Sequence, residues 1–216
     1  MIKHILAIGD SYTFGEELSD HALQAWPRVL ADKLNCKYAN LAIPGGSNDR
    51  IFRIAVEETL TPKYDLVICA WTDVSRLDLV LNGREFPITS ASVWHHKQYP
   101  WLKEYYANHH DEHHATRTWL AKVIALQEYF KNKNQRYIFV NMQSNWQYKQ
   151  YYIDLGLTHF VNQIDTVNYP GWTTGEGLTA WQGDCPKGPH GHPLELGHQR
   201  IAEKINEHIR NLGWLP

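Results

Sequence analysis

The sequence predicts an α/β fold, a three-layer α/β/α sandwich around a mostly parallel sheet of about five strands. Three observations carry this. Short apolar runs alternate with longer segments whose apolar residues recur at helical spacing. The most strand-like run, Leu66 to Trp71 (LVICAW), is apolar without interruption, as in a strand covered on both faces. No internal repeat, low-complexity linker or composition shift breaks the alternation, so residues 1–216 read as one domain.

Lys3 to Ile8 is a short apolar run ended by Gly9-Asp10 and reads as the first strand. Pro27 suits the first turn of a helix, where its missing N–H is not needed, and Val29, Leu30 and Leu34 give that helix an apolar face, with Trp26 a candidate fourth member. Tyr38 to Ile43 reads as a second strand, closed by the turn signal Pro44-Gly45-Gly46. Ser47 or Asn48 then caps a helix through about Leu60, with Ile51, Ile54, Ala55 and Glu58 along an amphipathic stripe. Leu66 to Trp71 is the third strand, Thr116 to Lys131 a helix, Tyr137 to Val140 a fourth strand and Asn145 to Leu155 a helix. His159 to Val161 is a candidate fifth strand, and Leu196 to Leu212 is the last helix, with Ile201, Ile205 and Ile209 at i, i+4 spacing. Two stretches fall outside the pattern: an aromatic and His-rich insertion at about 74–115 and a long loop at about 162–193. Both follow predicted strands. Ligand crevices of open α/β sheets lie beyond the carboxyl ends of strands, so both belong near any site.

Composition narrows the function. The 216 residues suffice for a full core, and 43% hydrophobic with 20% charged residues is the balance of a soluble globular protein. A net charge of −2 without a basic stripe argues against a nucleic-acid partner. No run approaches the ~18 apolar residues of a membrane span. Ile5 to Ile8 is too short for the core of a signal peptide, so no leader is expected. Cys36, Cys69 and Cys185 are odd in number and lack metal spacing, which points to reduced thiols and a cytoplasmic location. Oligomeric state is not encoded in any such pattern. Nine Trp and twelve Tyr serve either a packed core or flat platforms for a sugar-like ligand.

Chemistry begins at Ile8-Gly9-Asp10-Ser11-Tyr12-Thr13-Phe14-Gly15, where Ser11 follows the first strand. A serine nucleophile needs a base within hydrogen-bond reach and donors for the oxyanion. His192, in the loop entering the last helix, is the candidate base. This first block, Asn40-Leu41-Ala42-Ile43-Pro44-Gly45, and Gly191-His192-Pro193 followed by Gly197-His198 resemble, in order, three blocks of the SGNH/GDSL hydrolase family. The resemblance spans nearly the whole chain. It implies a serine ester hydrolase, an esterase or deacylase needing no cofactor or metal; the aromatic insertions and the lack of a long apolar segment to cover an acyl tail tilt the substrate toward a small-molecule or glycan ester, an acylated carbohydrate over a long-chain lipid. It implies Ser11 as nucleophile, His192 as base, and the N–H groups of Ser11 and Gly45 as oxyanion donors.

Two departures follow. The family's Gly-x-Asn-Asp block reads Ala70-Trp71-Thr72-Asp73 here, which leaves Thr72 or Asn48 as the further oxyanion donor; capping the next helix is the other role open to Asn48. The family's Asp three residues before the histidine is Pro189 here, so the acid is Asp184 or a backbone carbonyl takes its place. Trp71, Asp73 and Arg76 are candidate substrate contacts, although Asp73 also suits a structural role and Arg76 a pair with Asp78 or Glu85. Residues 109–114 (HHDEHH), with His95 and His96 in the same insertion, place His109/His113 and His110/His114 at i, i+4 if helical, a spacing open to zinc or to a solvated polar face. Three rival readings remain: a non-catalytic protein presenting Trp94, Trp101, Trp172 and Trp181 to a glycan or partner, an O-acyltransferase using the same residues, and a metal-dependent hydrolase.

Overall fold

The computed structural model describes residues 1–81, 83–90, 92–94, 97, 99–144 and 148–215. Four parallel strands form one sheet: β1 (His4–Ile8), β2 (Lys37–Asn40), β3 (Leu66–Trp71) and, late in the chain, Arg136–Asn141. Their order is β2-β1-β3 and then the Arg136–Asn141 strand. Leu6 pairs with Ala39 on one side and Val67 on the other. The hairpin β4 (Leu77–Leu81) and β5 (Arg84–Ile88) forms a separate antiparallel sheet, so the late strand is β6.

The helices follow their signals. The turn α1 (Ser11–Phe14) is capped by Asp10, and α2 (His21–Gln24) by Asp20. Helix α3 (Trp26–Leu34) has its proline in the first turn, and α4 (Asn48–Thr59) is capped by Ser47, whose hydroxyl accepts the Arg50 N–H at 3.1 Å. A short α5 (Trp101–Glu104) runs into a π-helical turn, Tyr105–His109, before α6 (Glu112–Asn132). Then come α7 (Tyr148–Asp154), α8 (Thr158–Val161), α9 (Leu178–Trp181) and α10 (Glu195–Asn211). No helix among the described residues is long and apolar enough to cross a membrane.

Strand alternation explains the layers. In β1 and β3, Leu6, Ile8, Val67, Cys69 and Trp71 face α4 and α6, where Ile51, Ala55, Leu120, Val123 and Phe130 meet them. The intervening Ile5, Ala7, Leu66, Ile68 and Ala70 face α3 and α10, against Trp26, Leu30, Ile201, Ile205 and Ile209. A continuous apolar strand thus feeds two cores at once. The insertion holds a small core of its own, Ile88, Val93 and Leu102.

Two expectations change here. The sheet has four strands because His159 to Val161 lies in α8 instead of a fifth strand. A three-residue apolar stretch does not distinguish the two periods, and the helical turn lets Val161 join the α6-side core. The histidines at 109–114 are also not one helix: His110 is extended (ψ 120°) and Asp111 caps α6, which breaks the i, i+4 register. His95, His96, the Trp94 side chain and residues 145–147 of the predicted helix lie outside the described residues.

Candidate active site

The strand order places a crevice where β1 and β3 lie side by side while their onward connections run to opposite sides of the sheet. Ser11 starts α1 directly at the carboxyl end of β1 and is 6% exposed. Its local geometry comes from Asp10, whose carboxylate accepts the Tyr12 N–H at 3.1 Å, and from Gly15, which ends the turn at φ 90°. Asn40, at the end of β2, donates to the Thr13 carbonyl at 2.8 Å and so ties α1 to the neighbouring strand. Gly45 adopts φ 73° in the turn after β2. Among the described residues, neither the Ser11 nor the Gly45 N–H donates to a protein acceptor, and Ser11 Oγ makes no hydrogen bond.

Asp10 is fully buried and sits at the centre of a polar knot. Arg76 Nη1 lies 2.9 Å from its Oδ2, and the Thr72 hydroxyl donates to the same oxygen at 2.8 Å. Asn48 clamps Thr72 from the other side: Oδ1 accepts the Thr72 N–H at 2.9 Å and Nδ2 donates to the Thr72 carbonyl at 3.0 Å. This knot welds the ends of β1 and β3 to the start of α4.

Several predicted contacts are thereby reassigned. Thr72 is not an available oxyanion donor, because a hydroxyl carries one proton and the Asp10 carboxylate accepts it. Arg76 pairs with Asp10 and not with Asp78 or Glu85, which instead bind Arg53, Glu85 also holding Arg50. Asn48 does not cap α4; one Nδ2 proton is engaged by Thr72 and the amide carries a second. Trp71 is fully buried, edge-on to Phe139, and cannot touch substrate. Asp73 accepts the Ser75 N–H at 2.7 Å and shapes the turn after β3. Trp172 and Trp181 are core residues at 1% and 8% exposure, so of the four tryptophans considered for a surface only Trp101 is seen exposed.

His192 reaches the same corner. A narrow loop carries it: Gly188 N–H donates to the His192 carbonyl at 2.9 Å, Leu194 N–H to the Pro186 carbonyl at 2.9 Å, and Gly191 turns at φ 88°. The imidazole packs on Tyr12, the residue after Ser11, with ring centroids 5.4 Å apart. Asp184 does not hold it. Its side chain is exposed, and its carbonyl accepts from Arg200. Glu17 stands there instead. Its Oε2 lies 2.9 Å from His192 Nδ1 and accepts the His192 N–H at 3.0 Å, while Oε1 accepts the His190 N–H at 2.7 Å. Burial works against this carboxylate, but the N–H groups of His190 and His192 and the His192 ring outweigh it and hold Glu17 below the usual carboxylate range. Glu16 Oε2 lies 3.5 Å from Nε2, at the ring's other nitrogen.

Glu17 is the residue the sequence did not reveal. Among the nine acidic residues from position 10 to 65, nothing marks it as an imidazole partner; the only signals are the proline at 189 and the glycines at 188 and 191. Gly188 matters because a Cβ there would lie 2.6 Å from Glu17 Cδ. His198, six residues after His192, is a different kind of residue. It is fully buried, its Nδ1 accepts the Trp26 N–H at 3.1 Å, and burial, then the nearby His192, push its pKa down to about 4. It joins α3 to α10.

Comparison with known proteins agrees with the architecture. The chain is similar to a protein assigned to the lipolytic G-D-S-L family from Desulfitobacterium hafniense DCB-2, at 14% identity over 95% of this chain and 99% of that one, with a TM-score of 0.51. It is similar to the psychrotrophic esterase EstA from Pseudoalteromonas sp., solved in a form inhibited by monoethylphosphonate, at 12% identity over 99% and 100% of the chains (TM-score 0.58). It also matches Est2A, an acetyl xylan esterase from the rumen bacterium Butyrivibrio proteoclasticus, at 14% identity over 99% of this chain and 65% of that one (TM-score 0.54). No curated protein matches the sequence. The family profile described as "Family of unknown function (DUF6071)" matches residues 15–216, a stretch that contains Glu17 and His192 and starts just after Ser11. The chain has the SGNH/GDSL hydrolase fold and belongs to the DUF6071 family of unknown function.

Proposed function

We propose that this chain is a serine-dependent ester hydrolase of small acylated molecules, with acylated carbohydrates as the favoured class. The observation that carries the reading is the convergence on α1: a buried Ser11 with an unengaged hydroxyl and N–H, and His192 packed against the adjoining Tyr12. Ser11 Oγ attacks the ester carbonyl while His192 Nε2 takes its proton. The N–H groups of Ser11 and Gly45, with the second Nδ2 proton of Asn48, stabilise the oxyanion. His192 then protonates the departing alkoxide, and water, deprotonated by the same ring, releases the acid and restores Ser11. The carbohydrate preference draws support from the acetyl xylan esterase among the structural relatives. A cleft of about 200 Å³ beside Asn48 and Arg76 mixes the polar groups of Asp49, His110 and His114 with the apolar side chains of Val74, Leu77 and Trp119, a lining compatible with a sugar ring.

In this conformation Nε2 is near Glu16, and no Ser11–His192 hydrogen bond is made among the described residues. That observation favours a second reading, a binding protein on the same fold. Hydrolysis of p-nitrophenyl acetate and of acetylated xylo-oligosaccharides by the wild type and by Ser11→Ala separates the two. Loss of at least about 1,000-fold in the variant is expected. Equal rates would remove Ser11 as nucleophile, and no turnover of any ester by the wild type would favour the binding protein.

A further inference from the structure

We infer that Glu17 is the positioning residue of the His192 base, supplied from the segment just after the nucleophile in place of the acid missing at Pro189. The inference rests on the hydrolase reading above, but the geometry behind it is independent of any substrate. A carboxylate only accepts, so the 2.9 Å contact puts a proton on His192 Nδ1 and leaves Nε2 of the neutral ring with its lone pair. That is the tautomer a general base toward Ser11 requires.

The arrangement is built, not incidental. Glu17 takes φ 69°, a left-handed conformation unusual for a residue with a side chain, and this turns its carboxylate back toward the 188–192 loop. The side chain is 8% exposed and both oxygens accept, one from His190 N–H and the other from His192 N–H and the ring. Gly188 is the one residue type that lets the carboxylate lie so close to the loop backbone. One carboxylate therefore fixes both the loop's position and the ring's rotation. Asp184, the nearest acid before His192, is on the exposed side of that loop with Arg200 at its carbonyl.

The test compares Glu17→Gln, Glu17→Asp and Asp184→Asn with the wild type on p-nitrophenyl acetate across pH, and reads His192 by 15N NMR at neutral pH. Expected is a kcat loss of about 100- to 10,000-fold in Glu17→Gln with KM within about threefold. Partial recovery in Glu17→Asp and no loss in Asp184→Asn complete the pattern. The NMR spectrum should show the Nδ1–H tautomer in the wild type and a mixture in Glu17→Gln. Gly188→Ala, which leaves the carboxylate chemically intact, should reproduce the mixture. A wild-type ring protonated on Nε2 alone, or Glu17→Gln with unchanged kcat and tautomer, would overturn the assignment. The NMR arm decides it even where Ser11→Ala shows that the hydrolase reading itself fails.

Discussion

Asp10 and Glu17 flank Ser11 in one short segment, and they do opposite work. Asp10 is fully buried, its charge met by Arg76, Thr72 and the Tyr12 N–H. Glu17 lies at the rim, its charge met by two backbone N–H groups and an imidazole. The first holds the scaffold from which Ser11 projects, and the second orients the ring brought to it. A buried carboxylate surrounded by fixed donors has no room to act on a substrate. A rim carboxylate aimed at a histidine does, through that ring. The two histidines repeat the contrast: His198 is an interior acceptor for a backbone N–H, whereas His192 is 15% exposed with a carboxylate near each nitrogen.

This contrast can be broken first at Arg76. Arg76→Met leaves the Asp10 charge buried without its cation, and a loss of about 3–5 kcal/mol in urea unfolding is expected. A loss under about 1 kcal/mol would mean that Asp10 is not an anchored charge. The next effect is on His198. Its folded pKa of about 4 lies below its unfolded value, so the unfolded chain binds the extra proton between the two. Its contribution is present above about pH 6.5 and falls away as the pH drops to about 4, by roughly 3 kcal/mol. His198→Gln, which keeps an acceptor for Trp26, should flatten the stability profile in that window; an unchanged slope would assign the acid sensitivity elsewhere. Glu17, with its lowered pKa, adds a loss only as the pH falls below the usual carboxylate range, and that loss should survive in His198→Gln. The smallest effect is Thr72→Val. Removing one of two strong partners of Asp10 should cost about 1–3 kcal/mol while leaving ester hydrolysis within a few-fold, since the hydroxyl already serves Asp10. A large loss of turnover without a loss of stability would return Thr72 to the oxyanion site.

Much of the scaffold is legible in the chain. LVICAW declared a doubly covered strand, Pro27 a helix start and Ser47 or Asn48 a cap, of which Ser47 takes the role, because each signal is local and its physical cause lies within a few residues. That Ser11 and His192 come to one corner of the sheet was legible because strand ends and helix entries mark the crevice. The rest depended on contacts between distant segments. The Asp10–Arg76 and Glu17–His192 pairs join residues far apart in sequence, and no spacing rule selects among the acids available to each. Trp71 looked accessible because it ends a strand at the crevice, yet alternation turns it into the α6-side core. His159 to Val161 failed for a simpler reason: three residues are too few to show a period.

The most direct test of a Ser11 nucleophile served by His192 is labelling with a p-nitrophenyl ethylphosphonate ester, followed by mass spectrometry of the digested protein. One adduct on the peptide containing Ser11, absent in Ser11→Ala and slowed at least about 100-fold in His192→Ala, is the predicted result. No adduct in the folded wild type, or an adduct on another residue that persists in Ser11→Ala, would contradict it.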